Sequence, residues 1–209
     1  MNKIITIGRE FGSGGRELGK ELAELLGFAY YDKEIVQEIA KRTQLAEEYL
    51  HAIVENHTGI PFPITVGRTL YHHNHGGEYL LHHYAHVYSE QANVLREMAE
   101  RSDCVIVGSC SDYILKDYHP VRLFVYAEEE AKVARCRANA DEHEQLSDKQ
   151  LRRMIKKVDK NRARHYHYHT GQIWGNRTNY DFCINTSAAP LKEIAEALAP
   201  LLKNIKAER

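Results

Sequence analysis

Residues 1–32 read MNKIITIGREFGSGGRELGKELAELLGFAYYD, and the fold turns on what happens between Gly8 and Gly15. KIITIG (Lys3–Gly8) is short, β-branched and closed by glycine, the pattern of a buried strand. Leu18, Leu22, Leu25 and Leu26 then repeat at helical spacing, which predicts a helix from about Gly14 to Leu26, closed by Gly27. FAYY adds a second strand ending at Asp32. Between the first strand and the helix, Gly12, Gly14 and Gly15 let the backbone bend tightly. Several N–H groups then point into one hollow at the positive end of a helix dipole. A plain strand-to-helix turn needs one glycine; four within Gly8–Gly15 point to a phosphate cradle built from Arg9, Phe11, Gly12, Ser13, Gly14, Gly15, Arg16 and Glu17.

Two familiar phosphate patterns fail on this stretch. The dinucleotide pattern G-x-G-x-x-G breaks because Glu17 stands where the third glycine belongs, although Asp32 sits about where a ribose-binding acid would. The pattern G-x-x-x-x-G-K-[ST] breaks because Gly8 to Gly14 is one residue too long and Gly15, Arg16 and Glu17 follow. The hollow therefore lacks the lysine that normally completes it.

At 209 residues the chain suits one domain with a sizeable core. With 28 Lys and Arg against 29 Asp and Glu, no global field attracts nucleic acid or an acidic membrane. IITIG is too short for a signal peptide or a spanning helix. The four cysteines form no C-x-x-C pair. Cys104 and Cys183 lie in apolar strand-like runs, so buried free thiols in a reducing cytoplasm are expected.

Further along, Ile35, Ile39 and Ala40 predict helix from Lys33 to roughly Glu55, broken near Thr43. Residues His57 to Gly77 carry no clear period and read as a loop-rich insertion, followed by a long helical pattern from Tyr79 to Glu100. CVIVG (Cys104–Gly108), VRLFVY (Val121–Tyr126) and YDFCIN (Tyr180–Asn185) read as the third, fourth and fifth strands. EEEAKVARCRA is a helix, and Ser147 with Gln150 makes a capping box for a basic helix running to about His165. Pro190 stands where a last helix begins, and Pro200 should end or bend that helix. Apolar strands alternating with helices predict an α/β fold, a parallel sheet covered on both faces.

GSGGRELGKELAELLGFAYYD resembles, without a gap, the phosphate loop, first helix and second strand of bacterial cytidylate kinases. VRLFVYAEEEAKVAR, DKNR and YDFCINTS resemble later stretches of the same kinases in order. The resemblance is closer to the branch called cytidylate kinase-like proteins, through GREFGSGGRELG, YYDKEIV, VIVG with DYIL, KVDKNRA and YHTGQIWGNRTNYDFCINTS. It implies a P-loop NTPase three-layer fold: a five-stranded parallel sheet, a helical acceptor arm over about 33–100 and a lid over about 139–160. It also implies ATP and Mg²⁺ as donor, a nucleoside monophosphate or other small acceptor, Asp32 and Arg135 on the acceptor side, and a substrate-facing Asp159 and Arg162. The chain departs from true kinases where the loop lysine aligns with Gly15, the Mg²⁺-holding hydroxyl with Glu17 and the third-strand acid with Val107. The arginine after the third-strand glycine is Ser109.

Arg16, beside the missing lysine, and Arg9, on the other shoulder, are the candidates to replace it, since a guanidinium binds phosphate oxygens through two parallel hydrogen bonds. The bland alternative has Arg16 in solvent or paired with Glu17 or Glu21. Glu10 or Glu17 is the candidate metal carboxylate. Arg152, Arg153, Lys156, Lys157, Lys160, Arg162 and Arg164 crowd the basic helix with Asp159 nearly alone among them; near-neutral overall charge favours small local phosphates over nucleic acid as their target. Asp159 and Arg162 share a face at i, i+3. Histidines between His51 and His86 read as solvated or pocket-lining, with a His82–His86 metal pair as the alternative. HYHYHTGQIWG either stacks on a base or packs a homodimer contact. Two functions compete: phosphoryl transfer to a small acceptor, and nucleotide binding without transfer; a nicotinamide-dependent oxidoreductase is a third.

Overall fold

The computed structural model describes residues 1–47, 50, 75–139 and 146–205. β1 (Ile4–Arg9) runs into α1 (Gly15–Leu26), then β2 (Ala29–Tyr31) and α2 (Lys33–Thr43). α3 (His75–Arg101) leads to β3 (Cys104–Val107), the single turn α4 (Ser111–Ile114) and β4 (Val121–Tyr126). α5 (Glu129–Ala138), α6 (Asp148–Thr170), β5 (Phe182–Asn185) and α7 (Leu191–Asn204) complete the chain. The strands form one sheet in the order β2-β3-β1-β4-β5, parallel throughout.

Both faces of the sheet are covered, which explains why β1 and β3 are apolar at nearly every position. In β3, Cys104 and Ile106 face a core shared with α2 and α3, where Ile35, Ile39, Leu95 and Met98 are buried. Val105 and Val107 face the opposite core, with Ile5 and Ile7 of β1, Leu18 and Leu22 of α1, and Ala195 and Leu202 of α7. The split follows the two-residue period of a strand. A third cluster, Val133, Leu151 and Ile155 with Phe11, Cys136 and Met154 against it, joins α5 and α6 to the turn after β1.

Several expectations change. The helical pattern assigned from Tyr79 begins at His75, and the rest of the expected loop-rich insertion lies outside the described residues. α6 continues past His165 to Thr170 because Tyr166 packs into the core and Gly171, with φ 69°, supplies the left-handed cap. Pro190 caps the last helix from outside, and the helix passes through Pro200 to Asn204, where buried Ala195, Ala199 and Leu202 hold it on the sheet. Cys183 is exposed, not buried. Its strand is an edge whose Phe182 and Ile184 pack inward, which turns Cys183 to the other side. The Ser147–Gln150 capping box forms as the spacing implies. Among the described residues no helix is long and apolar enough to cross a membrane.

Candidate functional site

The strand-to-helix turn is tight for reasons visible at single residues. Glu10 N–H donates to Val125 O at 2.9 Å, extending the sheet by one bond. Ser13 donates to Glu10 O through both its N–H (3.3 Å) and its hydroxyl (2.8 Å). Gly12 and Gly14 take φ of 74° and 78°, the left-handed region that L side chains resist. A Cβ on Gly12 would stand 2.9 Å from Cys136 Sγ and 3.0 Å from Lys132 O, and one on Gly15 would stand 2.6 Å from Arg9 Cβ. The glycines are thus required by packing as well as by backbone angle.

Charged groups from α5 and α6 hold this turn from behind. Asp159 accepts from Phe11 N–H at 2.7 Å and, through its other oxygen, from Lys132 Nζ at 2.9 Å. Lys132 Nζ also donates to Glu10 Oε2 at 2.8 Å, with its side chain only 9% exposed. Burial alone would lower the Lys132 pKa, but the bonds to Glu10 and Asp159 outweigh it and hold the ammonium above its ordinary value. Arg162, itself buried, donates from Nη1 to Arg9 O at 3.1 Å. Its guanidinium carbon lies 5.8 Å from the centre of the Phe11 ring. Arg135 donates to Ser13 O (3.2 Å), Thr186 Oγ1 (3.0 Å) and Thr186 O (2.6 Å), while Thr186 Oγ1 donates to Ser13 O at 2.7 Å.

The front of the turn opens into a cavity of about 1170 Å³, between the start of α1, the end of α5 and the beginning of α6. Arg9, Arg16, Arg135, Arg137 and Arg162 line it against two carboxylates, Glu10 and Glu17; Phe11, Leu151 and Met154 form an apolar part of the wall. Arg16 pairs through Nε with Asp32 Oδ2 at 3.0 Å and stays half-exposed beside the opening. Tyr30 donates to Arg16 O at 3.1 Å, and burial followed by the Asp32 charge pushes its phenol up to about 12.

Of the residues singled out in the sequence, Arg9, Phe11, Gly12, Gly14, Gly15, Arg16, Glu17, Arg135 and Arg162 come together around one cavity. Ser13, Asp32 and Asp159 do not line it: Ser13 is buried beneath the turn, Asp32 stands behind Arg16 and Asp159 behind Phe11. The basic helix is less unbalanced than its sequence implies. Arg152 pairs with Glu129 (2.8 Å) and Glu130 (2.6 Å), Lys156 with Glu129 (3.1 Å), and Arg137 with Asp148. The compensating acids come mostly from α5, which no spacing rule within α6 could show. Part of the aromatic run packs inside the chain, where His169 stacks on Tyr88 of α3 at 3.9 Å and meets the edge of His165 at 4.5 Å, while Tyr168 and Ile173 stay exposed. His86 is exposed, while residues 51–74 and the side chain of His82 lie outside the described residues.

Lys132 and Thr186 escape the sequence reading. Lys132 is an unremarked position of EEEAKVAR, and its partners are 122 and 27 residues away. Also missed is a second, small space of about 10 Å³ near the ends of β1 and β3, lined by Arg9, Ser109, Asp112, Arg162, Tyr166 and Tyr180 among others. Mg²⁺ at phosphate sites takes one or two carboxylates together with phosphate oxygens. Here Lys132 occupies Glu10, Val107 ends β3, and no group of three ligating side chains exists among the described residues. Glu17 is the cavity-lining carboxylate not held by Lys132, and a cation would fit here in the company of phosphate oxygens more readily than as a resident ion.

Solved structures of similar shape are P-loop kinases and a relative of unassigned activity. An uncharacterized protein from Eubacterium ventriosum is 25% identical over 98% of this chain and 100% of its own, with a TM-score of 0.69. Shikimate kinase from Bacteroides thetaiotaomicron is 17% identical over 96% and 98%, TM-score 0.58. Shikimate kinase from Acinetobacter baumannii, solved with shikimate, is 18% identical over 99% and 96%, TM-score 0.53. The two kinases share the fold alone. No curated protein matches the chain. The model of the cytidylate kinase-like family matches residues 4–188, covering the loop, every strand and the helices that grip the loop, and the chain belongs to that family.

Proposed function

We propose that the large cavity binds the phosphates of ATP and that the protein transfers the terminal phosphoryl group to a small acceptor of the nucleoside monophosphate class. The observation that carries this is the convergence of five arginines on a cavity at the start of α1, where the turn's backbone is held open by Gly12 and Gly14. Such a site favours negative charge through both the helix dipole and the guanidinium groups. Arg16 takes the place of the missing lysine, with Asp32 anchoring its Nε. Asp159 and Arg162 serve chiefly by positioning: they fix the Phe11 N–H and Arg9 C=O from which the cradle hangs. Phosphoryl transfer is mostly orientation and charge neutralisation, so a set of fixed guanidinium groups supplies what the chemistry needs. On this reading the region 33–100 is the acceptor arm and 139–160 the lid of a single cytoplasmic domain.

Binding without transfer is the second reading, favoured by Val107 at the end of β3 and by Lys132 being committed to two carboxylates. Nucleoside diphosphate formation from MgATP and a panel of nucleoside monophosphates separates the two. Transfer predicts turnover on at least one acceptor and a loss of about 1.5–3 kcal/mol in ATP binding for Arg16→Ala, the worth of a hydrogen bond to a charged group. Tight ATP binding with no product on any acceptor supports the second reading. An unchanged Kd in Arg16→Ala removes Arg16 from the site.

A further inference from the structure

The DYIL stretch and the run from Tyr166 to Tyr180 have no part in the phosphate cradle, yet they meet beside it. Asp112 of α4 is 8% exposed and Tyr166 of α6 is 3% exposed. The Tyr166 hydroxyl donates to Asp112 Oδ2 at 2.6 Å, and it lies 2.9 Å from Gln172 Oε1. Asp112 and Tyr166 border the small space of about 10 Å³ behind the turn. Arg9 and Arg162 line this space and the large cavity alike, so the two spaces adjoin at these guanidinium groups. The space stands at the carboxyl ends of parallel strands, where ligands of open α/β sheets bind. Its size admits one water molecule and no larger group.

We propose that this space holds a water molecule that attacks the terminal phosphorus of a triphosphate lodged in the large cavity, and that Asp112 takes its proton, so that the protein hydrolyses nucleoside triphosphates. The proposal rests on the phosphate reading of the large cavity. The water oxygen forms a bond to the terminal phosphorus, and the bond between that phosphorus and the bridging oxygen breaks. The leaving diphosphate keeps the electron pair, and the proton passes to the Asp112 carboxylate. Arg9 and Arg162 face the charge that spreads over the transferring group. Asp112 suits the role because burial raises its pKa, while the Tyr166 hydrogen bond opposes that rise; a carboxylate made more basic is a better proton acceptor. The other charged or titratable groups acting on it are Arg122 of β4, Cys110 before α4, Tyr88 of α3 and Tyr180 before β5.

The test is phosphate release from MgATP by the full chain, measured against pH, with ATP affinity measured separately by titration. Wild type is expected to release phosphate with an acidic limb in kcat. Asp112→Asn is expected to lower kcat by about 100-fold, the low end of general-base contributions, and to lose that limb, with Kd for ATP changed less than about twofold. Tyr166→Phe removes a donor to the carboxylate and should move the limb to higher pH; it carries the test alone if Asp112→Asn does not fold. ATP bound by wild type without phosphate release, or equal rates and limbs in parent and variants, overturns the proposal while leaving the phosphate site intact. Absence of ATP binding overturns the phosphate reading itself.

Discussion

Lys132 shows how far a single residue's role can lie from its sequence neighbourhood. Its ammonium bridges Glu10 and Asp159, and Asp159 in turn holds the Phe11 N–H. Replacing it with methionine leaves two partly exposed carboxylates near each other without their counter-charge. Removing one partner of a buried ion pair typically costs about 3–5 kcal/mol. With partners that are partly exposed the cost is smaller, and Lys132→Met is expected to reduce the unfolding free energy by about 1–3 kcal/mol. Chemical denaturation at neutral pH checks this, and an unchanged unfolding free energy would show the bridge to contribute no more than a surface pair. The glycines and the flanking arginines of the cradle were legible in the sequence because they are local to it. Lys132, Thr186 and Asp112 were not, because each acts across the sheet's carboxyl edge on partners that only the fold brings near.

Among the elements, the turn between β1 and α1 depends on α5 and α6 more than on its own residues. α5 supplies Lys132 and Arg135, and α6 supplies Asp159 and Arg162. The sequence reading saw the basic character of α6 and assigned it to substrate; the structure pairs Arg152 and Lys156 with α5, while Arg162 both bonds the Arg9 carbonyl and lines the cavity. Strand and helix boundaries were largely readable from period and caps. The extent of α6 was not, since Tyr166 is recruited by tertiary packing. Gly12→Ala tests the fit of the turn against α5: the residue would sit at φ 74° with its Cβ 3.0 Å from a backbone oxygen. Strain of this kind costs about 1–3 kcal/mol. The variant is expected to fold with a Tm lower by several degrees and to lose ATP-dependent stabilisation, as read by thermal shift with and without ATP. Full retention of the ATP shift would show that Gly12 does not shape the cradle.

For the whole molecule, the five-stranded parallel sheet with β1 at its centre aligns the ends of β1, β3 and β4 along one edge. The turn, the cavity and the smaller polar space all lie along that edge, which makes phosphate recognition the claim on which the rest depends. Calorimetric titration of the full chain with ATP and with adenosine tests it most directly. The account predicts that ATP binds and stabilises the protein by mass action, that adenosine does not bind measurably at the same concentrations, and that Gly14→Val abolishes the ATP signal while the sheet still folds. Equal affinity for adenosine and ATP, or no heat with ATP at millimolar concentration, would contradict it.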